Sequence, residues 1–225
     1  MFAWDLPWLA ALALALACYA VGMTRARRRG NPHPIRHALF LSAGVAVAYA
    51  TTLSPLEHYG NEVLWINFAG FLLLTMVAAP LLVLSAPLTL AFRASGPPGR
   101  RRLRRAYRSF PVAVVTFPVV SGLAFAALTY TWQFTALTDR AAQNVFVRDL
   151  QLASLLAVSL CFWTPALCAD PVRWRMPYPL RALYVFVEMT HKGLFGGMFL
   201  SASTPFHDGF ATNAPSWAPA PMTDQ

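Results

Sequence analysis

The residues best placed to do chemistry form one short run, Glu188-Met189-Thr190-His191-Lys192. Glu188 precedes Lys192 by four positions, the favourable order for an ion pair along a helix. His191 follows Glu188 by three and falls on nearly the same face. An acid, an imidazole and an ammonium on one face could pass a proton or hold a metal. In the competing reading the Glu–Lys pair neutralises itself and pins its helix to its neighbours. One imidazole and one carboxylate leave a metal site incomplete unless other helices add ligands. A second group comprises Glu57, His58, Glu62 and Asn67, facing Gln133, Asp139, Arg148 and Asp149. His58 beside Glu57 or Glu62 is a candidate weak metal site, against a reading in which these loop residues simply meet water and headgroups. His207 and Asp208 could join it. His33 and His37 stand among arginines and are expected to be solvated. No GxGxxG, P-loop, HExxH or GxSxG in its proper context occurs, so no enzyme activity is expected.

Apolar helices must position these residues. Of the 225 residues 57% are hydrophobic and 12% charged, whereas a soluble domain carries roughly 25% charged residues. A bilayer core of about 30 Å is crossed by about 20 apolar residues in helical form. Six stretches reach that length: residues 6–23, 35–53, 63–92, 110–132, 147–168 and 180–203. Lipid cannot satisfy free backbone groups, so each is expected to be helical. The third is long enough for a tilted span or for a short extra segment after Pro87. Pro80, Pro87, Pro118 and Pro165 are expected to kink their helices and free carbonyls. Gly193, Gly196 and Gly197 offer a small-residue face for close helix packing. Cys18, Cys161 and Cys168 match neither a zinc ribbon nor a redox pair and are expected to be buried, inert thiols.

Charge sets the orientation. Lys and Arg outnumber Asp and Glu by 18 to 9, but the arginines sit in short clusters between apolar runs, which excludes a nucleic-acid-binding face. Arg25, Arg27, Arg28, Arg29 and Arg36 lie between the first two stretches or at their edge. Arg93, Arg100, Arg101, Arg102, Arg104, Arg105 and Arg108 lie between the third and fourth, and Arg173, Arg175 and Arg181 between the last two or at their edge. The positive-inside rule places these alternate loops in the cytoplasm and both termini in the periplasm. Trp4, Trp8, Trp65, Tyr130 and Trp132 would form the outer aromatic belt. The first stretch begins with Asp5 and carries its arginines afterwards, as a retained helix does and a signal peptide does not. The expected architecture is all-α: a polytopic transmembrane bundle of about six helices over residues 1–210, in the lipid bilayer of a bacterial plasma membrane. Residues 211–225 are expected to form a disordered periplasmic tail.

Several motifs then resemble one family. Met76-Val-Ala-Ala-Pro-Leu-Leu-Val-Leu-Ser-Ala-Pro87 is similar to the third-helix signature of the CtaG family of cytochrome c oxidase assembly factors. Ser54-Pro-Leu56, Phe162-Trp-Thr-Pro165, Asp170-Pro-Val172 with Tyr178-Pro-Leu-Arg181, and His191-Lys-Gly-Leu-Phe-Gly196 with Ser203-Thr-Pro205 resemble further pieces in the same order. The resemblance runs from about Thr52 to Phe210. It implies a membrane assembly factor for a haem–copper oxidase, supporting copper insertion or complex maturation, with an oxidase subunit or other membrane complex as partner and copper as possible cargo.

The family's histidines near the start of helix three correspond to Asn67 and Phe71, that of helix four to Gln133, and those entering helix five to Arg148, Leu152 and Ser154. Only the helix-six histidine is kept, as His191. Amide, phenyl, guanidinium and alkyl groups do not replace copper ligands. Met23, Met76, Met189 and Met198 are soft donors, though methionine in apolar helices mostly packs. The alternatives are a metal-free scaffold or accessory subunit of a membrane complex, and a transporter resting on Glu188, His191 and Lys192 alone.

Overall fold

The computed structural model describes residues 6–53, 63–135, 137–171 and 173–201, and every regular element among them is helical. Helices α1 (Leu6–Arg28) and α2 (Ile35–Thr52) are followed by α3 (Leu64–Leu72), which runs through a π-helical turn (Leu73–Ala78) into α4 (Ala79–Leu84). Then come α5 (Pro87–Ala94), the arginine-rich α6 (Pro97–Tyr107), α7 (Phe110–Val115), α8 (Pro118–Gln133) and α9 (Leu137–Gln143). Two long helices close the described chain, α10 (Val145–Leu167) and α11 (Tyr178–Leu200).

Each of the six apolar stretches is thus mainly helical over its described residues. Three helical runs are long and apolar enough to cross a bilayer: Leu6–Arg28, Trp65–Ala94 and Val145–Leu167. The other stretches are more polar or broken. Arg36 and His37 open α2, a break at Thr116 and Phe117 divides α7 from α8, and Arg181, Glu188, His191 and Lys192 interrupt α11.

The prolines behave according to their positions. Pro80 lacks a donor and its ring would meet the Met76 carbonyl, and the widened π turn lies directly before it. Trp163 Nε1 donates to the Thr75 carbonyl in that turn at 2.9 Å. At Pro87 the chain breaks, with Ala86 in the left-handed region at φ 50°. Pro118 starts α8, and Pro165 lies within α10.

That break at Ala86 organises one end of the bundle. The orphaned carbonyls of a helix end must find donors. Tyr19 donates its hydroxyl to the Ser85 carbonyl at 2.7 Å, His37 Nδ1 lies 2.8 Å from the Leu84 carbonyl, and His33 Nε2 lies 3.4 Å from that of Ser85. The two imidazoles stack at 4.6 Å. Asp170 takes the free donors of α5, accepting from the Leu88 and Thr89 backbone N–H groups at 3.1 and 2.7 Å and from the Thr89 hydroxyl at 2.7 Å. The expectation that His33 and His37 are solvated is therefore corrected. His33 is buried and His37 half-buried because broken helix ends need donors. Burial lowers the His33 pKa below its ordinary value, opposed by the Ser85 carbonyl and assisted by His37 and Arg93.

The core runs between α4, α8 and α10, where Phe125, Phe162, Trp163, Ala79 and Val83 pack together. Tyr19, Leu41, Val45 and Leu90 join α1, α2 and α5. Outside it, Leu14, Leu123, Leu183 and Phe186 stand exposed, an apolar surface that suits lipid better than water.

Three further expectations need correction. None of the cysteines is buried: all are free, Cys18 is exposed on α1, and Cys161 and Cys168 are half-buried. Trp132 is a core residue rather than part of a belt, because its Nε1 donates to Ser154 Oγ at 3.1 Å inside the bundle. A Cβ at Gly193, Gly196 or Gly197 would meet nothing within 4 Å, so that face packs on no helix described here. A Cβ would instead stand 3.1 Å from Leu90 at Gly22, 3.1 Å from Leu82 and 3.2 Å from Leu81 at Gly44, and 3.3 Å from Tyr184 at Gly122.

Candidate functional site

Glu188 lies on the buried face of α11. One of its carboxylate oxygens sits 3.3 Å from Lys192 Nζ and 3.5 Å from His191 Nδ1, so both cations or donors share a single oxygen. The Lys192 ammonium then lies 4.7 Å from the ring centroid of Phe71 on α3 and 4.5 Å from that of Phe125 on α8. His191 meets Tyr130 of α8 edge-on, with centroids 4.8 Å apart. Three helices thus converge on one charged cluster. Two aromatic faces and a carboxylate replace the water that a buried ammonium loses.

Of the positions that the resemblance sets against the family's histidines, the structure brings some here and leaves others apart. Phe71 lies beneath Lys192 and packs with Trp132 and Leu155. Ser154 accepts from Trp132, and Gln133 is fully buried at the end of α8. Leu152 packs elsewhere, against Ala48, Leu74 and Ala78. Asn67 is half-buried on α3. Arg148 lies 4.0 Å from Asp149, whose carboxylate accepts from Trp8 Nε1 at 2.9 Å and ties the starts of α1 and α10 together. His58, with Glu57, Glu62, His207 and Asp208, lies outside the described residues. Among the described residues no three His, Cys, Asp or Glu side chains form a group able to hold a metal ion.

The helical spacing anticipates the Glu188–His191–Lys192 cluster. The roles of Phe71, Phe125 and Tyr130 are not legible that way, because a phenyl ring under a cation looks like any other core phenyl in the sequence. Asp170 and the Ser85-Ala86-Pro87 break are both conspicuous as motifs, but their partnership spans some eighty residues and only the packing discloses it.

Comparison with known proteins bears on the same residues. Protein Mb0105 of Mycobacterium bovis and protein MT0111 of Mycobacterium tuberculosis are each 29% identical to this chain over 225 residues, covering 96% of it and 34% of their own length. Protein ML1998 of Mycobacterium leprae is 28% identical over 185 residues, covering 79% of this chain and 28% of its own. The chain therefore spans about a third of the length of these relatives. No solved structure matches it. The family of cytochrome c oxidase caa3 assembly factors (Caa3_CtaG) matches residues 17–225, a span that includes the α4–α5 break, the Asp170 cap and the charged cluster of α11. With all of these elements inside one match, the chain belongs to the cytochrome c oxidase caa3 assembly factor family.

Proposed function

We propose that this chain supports the maturation of a haem–copper cytochrome c oxidase from within a bacterial plasma membrane, acting as a scaffold for the assembling complex. The observation that carries the reading is the family match across residues 17–225. In this reading the bundle crosses the membrane six times with both termini periplasmic. Contacts between the arginine-bearing segments support it. Arg93 donates to the Pro32 carbonyl at 2.6 Å and Trp174 Nε1 to that of Ala113 at 2.9 Å, so these segments gather at one end. A single basic end is what the positive-inside rule requires of a cytoplasmic face.

Copper, the cargo the family implies, fits this site poorly. A copper site needs several imidazole, thiolate or thioether donors. The amides of Asn67 and Gln133, the phenyl of Phe71, the guanidinium of Arg148, the alkyl chain of Leu152 and the hydroxyl of Ser154 do not supply them. His191 offers one imidazole, but the carboxylate beside it is shared with an ammonium 3.3 Å away. A metal cation there would be repelled by Lys192. The scaffold reading therefore assigns no copper-carrying step to this cluster.

Deleting the gene and measuring assembled oxidase, by haem spectrum and by copper content, tests the reading. Deletion is expected to lower assembled oxidase, and a His191→Ala gene to restore it to the wild-type level. Normal oxidase in the deletion strain overturns the assembly role. A His191→Ala strain with copper-poor oxidase, together with stoichiometric copper on the purified wild-type protein, overturns the scaffold reading in favour of copper carriage.

A further inference from the structure

Two cavities at the arginine-rich end share Arg173. One, about 520 Å³, lies between α5, α6 and the segment after α10, and is lined by Phe92, Arg104, Tyr107, Arg108, Pro171 and Arg173. The other, about 570 Å³, runs between α8 and α11 along apolar side chains including Phe117, Val119, Leu180, Leu183 and Val187, with Arg173 and Arg175 beside it. Trp174 fixes the junction. Its Nε1 donates to the Ala113 carbonyl at 2.9 Å, its ring meets Phe117 edge-on at 5.2 Å, and the Arg173 guanidinium lies 5.4 Å from its centroid.

Among the described residues no carboxylate pairs with Arg104, Arg108 or Arg173. Asp170, the acid closest in the chain, is committed to the α5 N-terminus through three hydrogen bonds. The first cavity is thus a basic pocket, and guanidinium groups bind phosphate by charge-assisted hydrogen bonds. The second is a greasy groove opening beside the same arginine. Leu123 of α8 and Phe186 of α11, one turn from lining residues of the groove, are exposed and apolar.

We propose that the two cavities together hold one anionic phospholipid, with its phosphate among Arg104, Arg108 and Arg173 and an acyl chain in the groove between α8 and α11. A free phosphate would leave the adjoining groove unused, whereas a phospholipid fills both halves. Basic pockets at the cytoplasmic ends of membrane helices are suited to anionic headgroups. The site needs α8 and α11 in the bilayer, as the six-span reading has them, and it does not depend on oxidase maturation.

The test uses the full chain in neutral detergent, titrated with phosphatidylglycerol and phosphatidylcholine of equal chain length and followed by native mass spectrometry. Phosphatidylglycerol is expected to bind the tighter at one site. Arg104→Gln, Arg108→Gln and Arg173→Gln are each expected to weaken it about fivefold. Arg101→Gln with Arg102→Gln, on the same helix but outside the pocket, is expected to leave it unchanged. Leu183→Trp is expected to fill the groove and weaken the lipid. Should it fail to fold by circular dichroism, Val187→Phe is read in its place. Equal binding of the two lipids overturns the proposal, as does an Arg101/Arg102 variant as weak as the pocket variants. Displacement of phosphatidylglycerol by equimolar inorganic phosphate overturns it in favour of a free-anion site. Labelling of Arg101→Cys from the periplasm would overturn the six-span topology, an outcome distinct from equal binding of the two lipids.

Discussion

An ammonium at the depth of Phe71 and Phe125 has given up most of its hydration, and Glu188 at 3.3 Å with two ring faces takes the place of that water. Removing one partner of a buried pair costs more than removing both, because the survivor is left charged and unpaired. Glu188→Gln is expected to destabilise the bundle by roughly 3–5 kcal/mol, and Glu188→Gln combined with Lys192→Met by clearly less. Thermal unfolding in detergent for the two singles and the double closes the cycle. A double whose loss equals the sum of the two singles would show that the pair is not coupled. His33 makes a second residue-scale prediction. Its pKa is lowered in the fold, chiefly by burial, so the folded state favours the neutral ring and the unfolded state binds the proton more readily. Its contribution is fully present above the ordinary histidine value of about 6.5 and is lost as pH falls below that value through the folded one. Melting temperature is expected to drop between pH 7.5 and 5.5, and His33→Gln to flatten that part of the profile. An unchanged profile in the variant would assign the acid sensitivity elsewhere.

The bundle is organised by what its helix ends need. Asp170 caps α5 from beyond α10, so Asp170→Ala should cost about 0.5–2 kcal/mol, with loss of hydrogen-exchange protection concentrated in residues 87–94. Protection lost evenly over the chain would contradict a local cap. Gly44 marks where α2 meets α4, and a Cβ there already stands 3.1–3.2 Å from Leu81 and Leu82. Gly44→Leu is expected to cost about 1–3 kcal/mol through overpacking, whereas Gly193→Leu, facing open space, should cost much less. Similar losses at the two positions would indicate that the α11 glycines are covered after all.

At the scale of the whole molecule the arginine-bearing segments meet at one end, while Trp8 and Asp149 join the starts of α1 and α10. Cysteines introduced at positions 101 and 173 are therefore expected to react only after the cytoplasmic side is opened, and a C-terminal reporter to read periplasmic. A cytoplasmic C-terminus would overturn the six-span arrangement. Apolar length alone predicts the helices, because lipid leaves the backbone no other way to satisfy its donors and acceptors. The Glu188–His191–Lys192 face was equally legible, since it depends only on helical spacing. By contrast, the burial of His33 and Trp132, the half-buried His37 and the exposed Cys18 are not legible in the sequence. Each depends on which distant segment arrives beside it. Apolar length, charge and motif order thus suffice for the helices, the bias of the loops and the family. Packing between distant segments alone sets a lysine on Phe71, Asp170 at the start of α5, and Arg173 between a basic pocket and an apolar groove. Helix formation is local and repeats along the chain, whereas these partnerships are set by packing between segments far apart in it.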